Sequence, residues 1–96
     1  MIAQTLINAV RNLLIYNYRS INTLEQEFEY LYLSEFKKHY LVLMTDQTKI
    51  IIKILSMNLA SSISSFYQEC NDFDKLLRFT ESFIYKQLKD INLFFE

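Results

Sequence analysis

The chain contains no glycine and no proline. Tight turns, bulges and helix C-terminal caps draw heavily on those two residues, glycine for positive φ and proline for a preset φ. A strand-rich fold of this length needs many such corners, whereas three or four helices need only two or three loose connections. The double absence therefore points to helix. Cysteine and histidine occur once each, as Cys70 and His39. One thiol forms no intramolecular disulfide and builds no thiolate metal cage, which fits a reducing compartment and an inert, partly buried side chain. Neither sign of charge is in excess: the formal net charge is −1 and the sequence pI about 5.8. That leaves no global electrostatic footprint for nucleic acid or for an anionic membrane.

Long apolar runs are missing as well. Lys49 and Lys53 interrupt the richest stretch before it reaches the roughly 18 residues of a membrane span. The segment from Ile2 to Tyr16 is partly apolar, but Arg11 sits in its middle and no basic region precedes it, so no signal peptide is expected. These features predict a soluble, cytoplasmic protein.

What is present is a globular composition, 51% hydrophobic and 22% charged in 96 residues, apolar enough to offset the entropy of folding and sized for one domain over 1–96. Scarce alanine and arginine beside abundant isoleucine, asparagine, lysine, phenylalanine and tyrosine is the usage of an AT-rich genome.

Hydrophobic periodicity divides the chain into four segments. Ile2, Leu6, Val10, Leu13 and Leu14 share one face of a first helix ending near Asn17, with Gln4, Asn8, Arg11 and Asn12 opposite. Thr23 and Gln26 have capping-box spacing, which predicts a second helix from Leu24 to about Met44 carrying Leu24, Phe28, Leu31, Tyr32, Phe36, Tyr40 and Leu43 on its apolar side. Glu25, Glu27 and Glu29 early and Lys37 and Lys38 late match its dipole and are expected on a solvated face. Thr45 or Asp46 is positioned to cap a third helix, where Ile50, Ile51, Ile54, Leu55, Leu59, Ile63 and Phe66 leave a narrow polar stripe of Lys49, Lys53 and Ser56. A competing hairpin would pair Tyr40–Met44 with Lys49–Ile54, but Thr45–Thr48 lacks the glycine or asparagine of a tight primed turn. Asn71 or Asp72 starts a fourth helix with the cleanest stripe, from Phe73, Leu76 and Leu77 through Phe83, Ile84, Leu88 and Ile91 to Phe94 and Phe95.

The expected fold is all-α: a three- or four-helix antiparallel up-and-down bundle, with an α+β arrangement carrying a hairpin near 40–55 as the minor alternative. Glu35 and His39 stack on one helix face at angles that point inward, the spacing of a hydrogen-bonded pair. One carboxylate and one imidazole are too few for a metal site, and Cys70 has no nucleophile motif around it, so no cofactor, metal or catalytic residue is expected. The serines at 61, 62, 64 and 65 lack the glycines of a phosphate loop and suit close helix packing. Thr80 and Gln87 repeat one heptad position inside the last stripe, where buried polar groups fix register between helices and the edge of the stripe is the alternative; with Glu35 and His39 they are the expected buried polar residues.

Ile15, Tyr30, Leu33, Leu41, Phe79, Tyr85 and Leu93 fall off the main stripes, more apolar surface than a monomeric bundle uses. They are the expected interface of a non-enzymatic interaction module, a small regulator, inhibitor, immunity or adaptor type, working with a protein partner or as a homodimer. Arg11 and Arg19 with Tyr16 and Tyr18, in an N-terminal segment free of acidic residues, provide the alternative: a thin footprint for nucleic acid or a membrane surface.

Overall fold

A computed structural model describes residues 2–17, 21–40 and 45–91. Four helices account for them: α1 (Ile2–Asn17), α2 (Ile21–Tyr40), α3 (Asp46–Cys70) and α4 (Phe73–Asp90). Among the described residues there is no strand, and only Thr45, Asn71, Asp72 and Ile91 lie outside a helix. α1 packs on α2 and α4, and α3 packs on α2 and α4, closing a four-membered ring of helices. The long dimension of 38 Å is that of α3, whose 25 residues rise about 37 Å. Residues 45–54, half of the hairpin alternative, belong to the capped start of α3 and its first two turns; its other half, after Tyr40, lies outside the described residues.

The helix ends show how a chain without glycine turns. Thr45 caps α3: its side chain accepts a hydrogen bond from the Thr48 amide at 3.2 Å. At the other end Asn71 adopts the left-handed conformation (φ 51°, ψ 36°), and its N–H closes onto the Tyr67 carbonyl at 2.8 Å. Asparagine tolerates this region better than other non-glycine residues, so it fills the position glycine usually takes. Asp72 then caps α4, accepting from the Lys75 amide at 3.2 Å. Thr23 is not the first residue of its helix. α2 begins at Ile21, which places Thr23 inside the helix and moves Glu25, Glu27 and Glu29 beyond the first turn, where the dipole acts. The basic end of α2 is as expected, with Lys37, Lys38 and His39 in its last turn.

The core collects Leu6, Ile7, Val10 and Leu14 from α1, Leu24, Phe28, Tyr32 and Phe36 from α2, Ile52, Leu55, Leu59, Ala60 and Ile63 from α3, and Leu76 and Ile84 from α4. α3 is turned relative to the face read from its sequence. Ser56, expected on the polar stripe, is buried, and its hydroxyl donates to the Ile52 carbonyl at 2.8 Å, which satisfies the one polar group it carries into the core. Ile50 and Ile54, expected inside, are exposed. Ile52, absent from the predicted face, is fully buried. By length and composition α3 is also long and apolar enough to cross a membrane, despite Lys49 and Lys53, with a third of that apolar window buried in the bundle.

Candidate functional site

Three places on the bundle carry chemistry: a buried polar chain, an outward apolar seam on α3, and a cleft between α1 and α2.

The buried chain links three helices. Tyr32 on α2 donates its phenolic hydrogen to Oε1 of Gln87 on α4, and Gln87 Nε2 donates to the Leu55 carbonyl of α3 at 3.1 Å. Burial pushes the Tyr32 phenol well above its ordinary value, because the phenolate would have to be held in an apolar interior. Thr80, one heptad position before Gln87, is buried too, and its hydroxyl donates to the Leu76 carbonyl at 2.8 Å. The expectation that Thr80 and Gln87 are buried agrees with their placement. Tyr32 had been read only as an apolar contact, and its partnership with Gln87 across 55 residues has no local signal.

Glu35 and His39 divide at the surface. Glu35 is buried, whereas His39 is exposed rather than inward. His39 sits at the outer end of α2, where its imidazole reaches past the core to solvent. Its Nε2 lies 3.3 Å from Glu35 Oε2, at ion-pair distance but without hydrogen-bond geometry, and Lys38 Nζ lies 3.8 Å from Oε1. Glu35 thus lies beside the Lys38 ammonium and the His39 imidazole. Among the described residues no three His, Cys, Asp or Glu side chains gather as a metal site. Cys70 closes α3 at the end farthest from His39, about 37 Å along the helix, so the two do not pair.

Of the off-stripe residues, Ile15, Tyr30 and Tyr85 are exposed. Phe79 is half-buried instead: its ring stacks on Phe66 of α3 with centroids 4.4 Å apart and an interplanar angle of 7°, and it tilts against Phe83. Ser61, Ser62 and Ser65 line a shallow depression beside that stack, small residues next to the aromatic contact. Leu33 is half-buried against the core. Leu41 and Leu93 lie outside the described residues, as do Tyr18 and Arg19. Arg11 is the one basic side chain on α1.

The seam on α3 was missed. Ile50, Ile54 and Met57 are 60%, 50% and 45% exposed, and with Ser61 they follow the 4-3-4 spacing of a heptad seam. They lie opposite Ile52, Leu59 and Ile63, so α3 is apolar on two sides and covered on one. Comparison of the chain with family models, with curated proteins and with solved structures yields no match. The geometry of these surfaces therefore carries the functional argument.

The α1–α2 cleft is a depression open to solvent, with a volume of about 500 Å³. Ala9, Leu13 and Leu31 form its apolar floor, with Tyr16 and Tyr30 at 82% and 70% exposure on its sides. Glu27 is the only charged residue lining it among the described residues, and Glu27 Oε2 is buried with no hydrogen-bond partner. Glu25, Glu27 and Glu29 are all half-buried, which corrects the expectation of a solvated acidic face.

Proposed function

We propose that this chain is a non-enzymatic helical interaction module, of the small regulator, inhibitor, immunity or adaptor kind, that works as a homodimer. The observation that carries the reading is the exposed Ile50–Ile54–Met57 seam, placed diametrically opposite the core face of the same helix. A helix apolar on two sides wants cover on both.

A second copy suits the seam because its apolar positions are self-complementary: with a two-fold axis between Leu55 and Ser56, Ile50 meets Ser61 and Ile54 meets Met57 of an antiparallel copy. Each of the three side chains retains about half of its transfer energy, about 1 kcal/mol. Doubled by two-fold symmetry this is about 6 kcal/mol, comparable to the lower estimates of the cost of association. The seam alone therefore supports a weak, concentration-dependent dimer, tightened by whatever adjacent surface joins it.

Sedimentation equilibrium over a wide concentration range tests this. A monomer–dimer equilibrium is expected, with dissociation shifted at least about tenfold by Ile54→Asp, which places a carboxylate in an apolar contact. A monomer at every concentration, or a dimer indifferent to Ile54→Asp, refutes the seam. Ile54 is half-exposed and outside the core, so the helical circular dichroism of the variant is expected to match the parent.

A further inference from the structure

The α1–α2 cleft is built from two facing stripes. Residues 9, 12, 13, 16 and 17 on α1 oppose residues 26, 27, 30 and 31 on α2, each set running along one flank of its helix beside the core face. Three properties of its walls converge. Glu27 lines the cleft, and its carboxylate has one oxygen buried without a hydrogen-bond partner, so the protein itself compensates the group poorly. Tyr16 and Tyr30 carry largely exposed rings, which attract cations through their faces. Asn12, Asn17 and Gln26 add amide oxygens around the rim. No lysine or arginine lines the cleft among the described residues.

The complementary group is a flat cation with several donors on an apolar stem. An ammonium brings three donors and no plane; a guanidinium brings five in a fork that matches a carboxylate, and a face that stacks on tyrosine. The apolar floor takes the methylene stem. We propose that the α1–α2 cleft receives an arginine side chain of a partner polypeptide, paired with Glu27 and flanked by Tyr16 and Tyr30. The inference rests on the interaction reading for the existence of a polypeptide partner, but not on the α3 seam or on dimerisation.

The test uses the full ¹⁵N-labelled chain and three capped pentapeptides, alanine throughout except for a central arginine, lysine or alanine, with ethylguanidinium chloride as the free cation. The arginine peptide is expected to give saturable amide shifts at Asn12, Tyr16, Glu27 and Tyr30. The lysine peptide binds about fivefold more weakly, the alanine peptide leaves these amides unmoved, and ethylguanidinium binds more weakly than the arginine peptide because it lacks the full stem and backbone. Glu27→Gln, which preserves shape and removes charge, weakens the arginine peptide about tenfold or more, and Tyr30→Ala weakens it several-fold. Equal binding by Glu27→Gln, or equal shifts from the lysine or alanine peptide, overturns the proposal. Ethylguanidinium binding as tightly as the peptide overturns the assignment to a polypeptide and leaves a small-cation site. Sedimentation of the same Glu27→Gln sample keeps the two readings apart: the dimer persists there if the seam reading holds, whether or not the cleft binds arginine.

Discussion

Replacing Tyr32 by phenylalanine removes one hydroxyl and nothing else, yet it strands Gln87 Oε1 in the interior. That oxygen has the Tyr32 hydroxyl as its donor, while Gln87 Nε2 is committed to the Leu55 carbonyl. A buried acceptor left without its donor costs about 1–3 kcal/mol. In a domain near this size each kcal/mol lowers Tm by about 4–8 °C. Gln87→Leu is the converse perturbation and strands the Tyr32 hydroxyl at similar cost. The Leu55 carbonyl loses little there, because it retains its place in the ladder of α3. In the double variant both polar groups are gone and an apolar contact replaces them, so its destabilisation is expected to fall short of the sum of the singles by about 1–2 kcal/mol. Urea unfolding followed by circular dichroism at 222 nm measures all four corners of this cycle. Two outcomes refute the reasoning: Tyr32→Phe within about 0.5 kcal/mol of the parent, or single effects that add within the same margin.

Because the phenol of Tyr32 is raised in the fold above its ordinary value of 10.0, its proton is held more tightly folded than unfolded. Stability from this group is therefore intact below pH 10 and is lost as pH rises past it, at up to about 1.4 kcal/mol per pH unit, and Tyr32→Phe flattens that alkaline slope in pH-dependent urea melts. At the α3 C-terminus, Asn71→Ala forces an ordinary side chain into the left-handed region and is expected to cost about 1 kcal/mol, whereas Asn71→Gly stays within a few tenths; thermal melts of the pair decide it. Thr45→Ala removes the α3 cap and is expected to cost about 1 kcal/mol, with increased amide exchange confined to the first turn of α3.

The helical fold was legible because composition and periodicity spoke together: without glycine or proline the corners had to be few, and Leu6, Val10 and Leu14 or Leu24, Phe28, Tyr32 and Phe36 recur at helical spacing and are all buried. Capping chemistry narrowed two helix starts to Thr45 or Asp46 and Asn71 or Asp72, and the fold takes Thr45 and Asp72. It failed at Thr23, which lies inside α2 because the helix already runs from Ile21. α3 misled most. With isoleucine at 50, 51, 52 and 54, two opposite faces are apolar, and hydrophobicity alone leaves open which one turns inward. Ser56 does not oppose the orientation taken, because its hydroxyl bonds to its own helix and so enters the core at little cost. Thr80 does the same on α4. Glu27 was read among the dispersed acids of α2 because its place in the cleft depends on α1, a long-range neighbour that no spacing within α2 records.

The Tyr32–Gln87 contact joins positions 55 residues apart, whereas helix formation along this chain is local. Without proline there is no slow isomerisation to wait for, so the pace of folding is set by search rather than by chemistry. The three helices that meet at Gln87 can associate in slipped alignments through aliphatic side chains alone; the amide rejects those alignments, since only one leaves both its ends occupied. The polar chain thereby penalises near misses, favouring one alignment in a greasy, corner-poor bundle.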